Sequence, residues 1–105
     1  QSTFEAFKFL DKEVERIAGI DEQGKSLMMK AFNETLPEIT LNNLITQSEQ
    51  NEQEGYKFIF AGAIIGIRNP RGHEFGNTDS IEECLDHLSL ASHLLRVLDD
   101  RSSPR

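Results

Sequence analysis

The segment from Ser48 to Ile67 most constrains how this 105-residue chain can fold. Its first turns carry three carboxylates, which stabilise the positive end of a helix: Glu49, Glu52 and Glu54. The stretch Phe58 to Ile67 that follows contains only apolar residues and glycine. At a rise of 1.5 Å per residue, a helix over this segment would be about 30 Å long. We therefore predict a helix that starts after Ser48, ends near Ile67 and crosses the whole domain.

Two helices are predicted before this segment. Ser2 with Glu5 gives the start signal of a capping box, and Gly19 is a stop signal. The apolar residues at helical spacing between them are Phe4, Phe7, Leu10, Val14 and Ile17. A second helix is expected to begin near Asp21 and to end before Pro37. Its predicted core residues are Leu27, Met28, Ala31 and Phe32.

A last helix is predicted after Ser80, which forms a capping box with Glu83. Its predicted buried stripe is Ile81, Leu85, Leu88, Ala91, Leu95 and Leu98. The segment 38–45 alternates only loosely, so an extended loop and a short helical turn both remain open, and no sheet is predicted. The sequence thus indicates an all-α fold, a compact helical bundle of four to five helices.

The length suits one small domain, which we place at residues 1–100, with a flexible tail at 101–105. Because the chain starts at Gln1 without Met, we expect a fragment of a longer protein with an additional domain. The single Cys84 excludes an internal disulfide framework and fits a reducing compartment. No segment reaches the roughly 20 apolar residues of a membrane span, so we predict a cytoplasmic protein without membrane contact.

The net charge of −7 argues against broad nucleic-acid affinity, since phosphate contacts need clustered basic residues. We therefore predict no DNA partner. The distribution of charge weakens this objection for one region. The run from Gly55 to His73 contains Lys57, Arg68 and Arg71 but no carboxylate. This region could form a locally basic site.

The end of this run, Arg68-Asn69-Pro70-Arg71-Gly72-His73, contains the strongest candidate site. The long helix would present Arg68 at its C-terminus, where a cation is favourable. Pro70 disfavours helix at Asn69, so the chain is expected to turn there and to return His73 towards Arg68. A guanidinium beside an imidazole suits phosphodiester chemistry. The alternative from spacing alone is a helix end followed by an ordinary polar loop.

The same residues carry a resemblance to a known family. Arg68-Asn69, three further residues and His73 match the R-polar-x3-H signature of the HEPN superfamily. Several blocks extend the likeness over most of the chain: Gly24-Lys25-Ser26-Leu27-Met28, Ala31-Phe32, Glu52-Gln53-Glu54-Gly55-Tyr56, Phe60-Ala61-Gly62-Ala63 and Gly66-Ile67-Arg68-Asn69-Pro70. Together these blocks resemble the uncharacterised prokaryotic Ymh branch of that superfamily.

The resemblance implies a metal-independent endoribonuclease that needs no cofactor. His73 would be the general acid and base, Arg68 would bind the phosphate, and Asn69 would orient either group. Arg71 and Lys57 are predicted to bind the RNA substrate. The resemblance also implies a homodimer with a composite site at a shared cleft, and an effector role in prokaryotic defence or a toxin system, with a possible antitoxin. The alternative is a non-catalytic dimerisation or ligand- or RNA-binding module that regulates a missing domain.

Two other patterns in the sequence have simpler structural interpretations. Gly19 to Ser26 satisfies the phosphate-loop pattern GxxxxGKS letter for letter, but a helix rather than a strand is predicted before it, so we expect a helix-turn-helix junction. The apolar excess around Gly62 and Gly66 fits either a central helix with two neighbours or a dimer interface. No metal site is predicted, because Cys84 and His87 lack further ligands at suitable spacing.

Overall fold

A computed structural model describes residues 2–70 and 80–101 of the chain. These residues form four helices and no strand: α1 (Thr3–Ala18), α2 (Gly24–Ala31), α3 (Gln47–Ala63), which continues into a π-helical turn (Ile64–Arg68), and α4 (Ile81–Asp100). The predicted all-α bundle is therefore confirmed. None of the described helices is both long and apolar enough to cross a bilayer. Of the predicted tail 101–105, all but Arg101 lies outside the described residues.

The helix starts follow the capping signals of the sequence. The Ser2 hydroxyl accepts a hydrogen bond from the Glu5 N–H, and Gly19 ends α1 in the left-handed conformation at φ 70°. Helix α3 begins with a complete capping box formed by Thr46 and Glu49, and α4 begins with one formed by Ser80 and Glu83. Helix α2 starts at Gly24 rather than near Asp21. The prediction was least accurate here because the Gln23 side chain makes no capping hydrogen bond.

The core lies where α1 and α2 meet α3 and the π-helical turn that continues it, and α4 packs on α1. The residues predicted to be buried on α2 are all buried: Leu27, Met28, Ala31 and Phe32. From α3, the Phe60 ring stacks on Phe32 with 4.3 Å between ring centroids. Such aromatic contacts bury large apolar areas, so this pair fixes α3 against the end of α2.

The predicted buried stripe of α4 is wrong at its N-terminal end. Ile81 is 78 % exposed and Leu85 is 59 % exposed, whereas the fully packed residues of the helix are Ala91, Leu94 and Leu98. A helical period shows which residues share a face, but burial also needs an element opposite that face. In the described structure, α1 faces α4 from Cys84 onwards, where the Thr3 hydroxyl lies 3.7 Å from the Cys84 sulfur, but Ile81 and Leu85 lie outside this contact. Leu94 belongs to this packed face and was missed.

The predicted turn at Asn69 is also wrong. Asn69 is helical, with φ −63° and ψ −46°, and its N–H donates to the Ile64 carbonyl five residues earlier. This wider π-helical turn explains how the chain stays helical into Pro70, whose ring would clash with the carbonyl of Gly66 in a regular α-helix. The helix thus extends beyond its predicted end near Ile67, and Arg68 lies in its last described turn, close to where it was predicted.

The segment between α2 and α3 forms neither helix nor strand, so the extended loop is the correct alternative for 38–45. It is attached to α3 by the fully buried side chain of Gln53. The Gln53 amide nitrogen donates to the carbonyls of Phe32 and Ile39, at 3.1 and 2.9 Å, and its oxygen accepts from the Leu41 N–H at 3.0 Å. One side chain thereby satisfies three backbone groups of the loop.

Candidate functional site

Arg68 is largely buried against the bundle. It is the last residue of the π-helical turn, and its side chain is only 18 % exposed. Its Nη2 atom lies 3.5 Å from Oδ2 of Asp11, which is on α1. The Arg68 Nε atom is buried and has no hydrogen-bond partner among the described residues. The guanidinium is thus held at Nη2, while the neighbouring Nε donor is unsatisfied among the described residues.

Asp11 connects this arginine to the start of α2. The carboxylate is 4 % exposed, and both its oxygens lie within hydrogen-bond reach of the Gly24 N–H, at 3.1 and 3.3 Å. A carboxylate at this position stabilises the positive end of a helix, so Asp11 caps α2 from another element. Gly24 has φ +68°, which favours glycine, and a Cβ there would lie 3.5 Å from Arg68 Nη2. Three elements therefore meet at one buried carboxylate.

The phosphate-loop pattern lies at this junction and has a different structure from a phosphate loop. Helix α1 precedes it, as predicted, and the Gly24 amide is bonded to Asp11. Glu22 within the pattern accepts hydrogen bonds from Lys30 and Ser26, which lower the pKa of its carboxyl group. Two donors that a bound phosphate would need are thus bonded to carboxylates: the Gly24 N–H to Asp11 and the Ser26 hydroxyl to Glu22. The pattern is a helix-turn-helix junction.

The remaining residues of the signature are only partly placed by the structure. Asn69 follows Arg68 in helical conformation and is partly buried. Arg71 and His73 lie outside the described residues. Their predicted roles therefore stay predictions, as does the closeness of His73 to Arg68.

Lys57 is placed away from Arg68. It lies eleven residues earlier along the same helix, which corresponds to about 16 Å along the axis. Its side chain is 9 % exposed, and its Nζ atom lies 2.9 Å from Oε1 of Glu34. Nζ also lies 4.5 Å from the centroid of the Phe58 ring. The structure thus gives this ammonium a local partner, and its predicted role in RNA binding stays a prediction.

Two features of the structure were not predicted from the sequence. One is the buried position of Asp11. The sequence feature that could have indicated it is a carboxylate on the apolar side of α1, between Leu10 and Val14. The other is a contact between α3 and α4, where the Tyr56 hydroxyl lies 3.0 Å from Nε2 of His93 beside a cavity of about 180 Å³. The described residues contain no cluster of three His, Cys, Asp or Glu side chains that could hold a metal ion.

Residues 1–98 match a family model described as "Protein of unknown function (Hypoth_ymh)". The match covers all four described helices up to Leu98 in α4. Comparisons with curated proteins and with solved structures gave no match.

Proposed function

This chain belongs to the Hypoth_ymh family of unknown function, and we propose that it is a metal-independent endoribonuclease of the HEPN type. Arg68, Asn69 and His73 are its catalytic residues, and Arg71 and Lys57 assist RNA binding. The proposed biological role is that of a cytoplasmic effector in prokaryotic defence or a toxin system. An antitoxin or an additional domain would then control it.

The observation that carries the proposal is the state of the Arg68 guanidinium. An arginine has five N–H donors in a planar fork, and the ion pair with Asp11 involves Nη2. The buried Nε donor has no partner among the described residues. A guanidinium that is fixed at Nη2 and keeps an unsatisfied Nε donor suits a phosphate, which offers several acceptor oxygens. An arginine that served only to end a helix would be expected at the surface.

The proposed reaction needs only a base, an acid and a cation. His73 removes the proton from a ribose 2′-hydroxyl, and the 2′-oxygen attacks the adjacent phosphorus. The bond to the 5′-oxygen of the next nucleotide breaks, and this oxygen takes up a proton from an acid in the site. Arg68 stabilises the negative charge that develops on the phosphoryl oxygens. The products are a 2′,3′-cyclic phosphate and a free 5′-hydroxyl.

The exposed face of α3 supports a dimeric form of this enzyme. Phe58 and Ile59 of α3 and Ile65 of the π-helical turn are exposed, and added Cβ atoms at Gly62 and Gly66 would meet no atom of the described residues within 4 Å. A stripe of this kind with small residues at its centre allows two helices to approach closely. Because α3 leads directly into Arg68, a dimer in which the two α3 helices pack in parallel through this face would bring both copies of the signature to the same end of the assembly.

The test compares wild-type protein with His73→Ala and Arg68→Ala on mixed cellular RNA in EDTA. We expect cleavage by the wild type with 2′,3′-cyclic phosphate ends. We expect a loss of at least about 100-fold in His73→Ala, because a general acid or base contributes that much or more. His93→Ala is the matched control, since His93 is exposed on α4 and outside the signature. Cleavage that requires a metal ion, or full activity of His73→Ala, would refute the proposal.

A second candidate is a non-catalytic dimerisation or ligand-binding module that regulates an additional domain. The same α3 face favours it, together with the net charge of −7. This candidate predicts a tight dimer that leaves RNA intact and is unchanged by Arg68→Ala. Dimerisation and RNA cleavage are therefore measured on the same preparations.

A further inference from the structure

We propose that Asp11 is a positioning residue, which fixes the orientation of the Arg68 guanidinium for phosphate binding without itself contacting RNA. This inference rests on the proposed function, and it adds a residue outside the signature. Asp11 lies 57 positions before Arg68 in the chain. The fold alone connects the two residues.

Burial decides how Asp11 can act. At 4 % exposure, its carboxylate is covered by α1, α2 and the π-helical turn. A carboxylate next to a phosphate would repel it, but here the Arg68 guanidinium compensates that charge and the Gly24 N–H donates to the carboxylate within the protein. Asp11 can therefore influence a bound phosphate only through Arg68. A direct role as a general base would require contact with the RNA.

The direction of the ion pair explains the proposed effect. The Asp11 carboxylate lies 3.5 Å from Nη2 of Arg68. The Arg68 side chain belongs to a π-helical turn, whose backbone is wider than that of an α-helix. An arginine side chain has several rotatable bonds, and losing their freedom on binding reduces affinity and rate. The pair removes this freedom before the substrate arrives.

Asp11 has a second task, which the experiment must separate from the first. Its oxygens accept the Gly24 N–H and so cap α2. The substitution Asp11→Asn keeps one carbonyl oxygen for this hydrogen bond and removes the charge that attracts Arg68. The cap of α2 would therefore survive in Asp11→Asn to a large extent. A positioning role would not.

The experiment is a double-mutant cycle of Asp11→Asn and Arg68→Gln, read by single-turnover RNA cleavage in EDTA. We expect Asp11→Asn to slow cleavage at least tenfold at a temperature at which circular dichroism shows the variant to be fully folded, although the loss of the anion beside Arg68 lowers its thermal stability. If Asp11 acts through Arg68, the double variant is no slower than Arg68→Gln alone. Asp21→Asn, an exposed carboxylate in the α1–α2 loop, is the matched control and should cleave normally. Wild-type rates in Asp11→Asn, or losses that multiply in the double variant, would overturn the inference.

A second readout separates failure of this inference from failure of the proposed function. NMR of the Arg68 Nε–H group reports its rigidity without any reaction. We expect a rigid signal in wild type and Asp21→Asn, and a mobile one in Asp11→Asn. If wild-type protein does not cleave RNA, the ribonuclease proposal fails. The NMR comparison still shows whether the contact with Asp11 restricts the motion of Arg68. An unchanged Arg68 signal in Asp11→Asn would show that Asp11 does not position it, whatever the activity.

Discussion

The ammonium group of Lys57 lies 2.9 Å from the carboxylate of Glu34, and it joins α3 to the loop that follows α2. The lysine side chain is 9 % exposed, so its charge has little access to water. The hydrogen bond from Lys57 holds the pKa of the Glu34 carboxyl below its ordinary value. This ion pair should therefore stabilise the fold in a pH-dependent way.

We expect Glu34→Gln to lower the free energy of unfolding at neutral pH by about 2 kcal/mol, because it leaves a buried ammonium without its anion. A carboxyl whose pKa is depressed by folding contributes stability above its unfolded pKa. That contribution is lost as pH falls through the folded value. The difference between the variant and the wild type should thus shrink in acid. Urea unfolding at a series of pH values measures it, with exposed Glu54→Gln as the control. A difference that stays constant down to acid pH would contradict this explanation.

Gln53 gives a second stability prediction. Gln53→Leu keeps a side chain of similar size but leaves three backbone groups of the loop without their partner. Each unsatisfied buried group costs about 1 kcal/mol or more. We therefore expect the free energy of unfolding to fall by about 3 kcal/mol or more. The control is Gln50→Leu, which makes the same change at an exposed position one turn earlier on α3. Equal unfolding midpoints for the two variants would show that the loop does not depend on Gln53.

Local signals predicted the helices well because caps and periodicity act within a few residues. Ser2, Thr46 and Ser80 all accept the hydrogen bond of an N-cap, although α3 was predicted to start after Ser48. The errors arose where distant parts of the chain decide the outcome. The exposed Ile81 has the same local pattern as a buried residue, and only the absence of a facing element among the described residues distinguishes it.

The candidate site shows the same division. The sequence indicated Arg68 as a residue of interest, but its partner Asp11 is far away in the chain and could not be paired with it from spacing. Pro70 was interpreted by its usual effect on a helix, whereas a π-helical turn accommodates it. Such turns depend on how the surrounding helices pack. They are frequent at functional sites, which agrees with the position of Arg68 in one.

The start of α4 should be the least protected helical segment described. Its capping box is complete, yet Ile81 and Leu85 are exposed, so the Ser80 cap is expected to stabilise this first turn more than tertiary packing does. We expect Ser80→Ala to speed hydrogen exchange of amides near Leu85, with a global loss below about 1 kcal/mol. Thr46→Ala removes the same hydrogen bond from α3, whose first turns are anchored by Gln53. That variant should instead lower global stability by about 1 kcal/mol. The reverse order of effects would contradict this view of α4.

The exposed apolar face of α3 gives a prediction about assembly. Ile65 is exposed on this face, so a charge there should leave the folded protomer intact and oppose contact with a second copy. We expect wild-type protein to be a dimer in sedimentation equilibrium. Ile65→Glu should weaken it by at least about 30-fold, which corresponds to roughly 2 kcal/mol. Ile45→Glu makes the same change at an exposed residue of the loop before α3 and should dimerise normally. If wild-type protein were monomeric at all concentrations, the predicted dimer would be refuted. If both variants weakened dimerisation equally, the interface would not lie on this face.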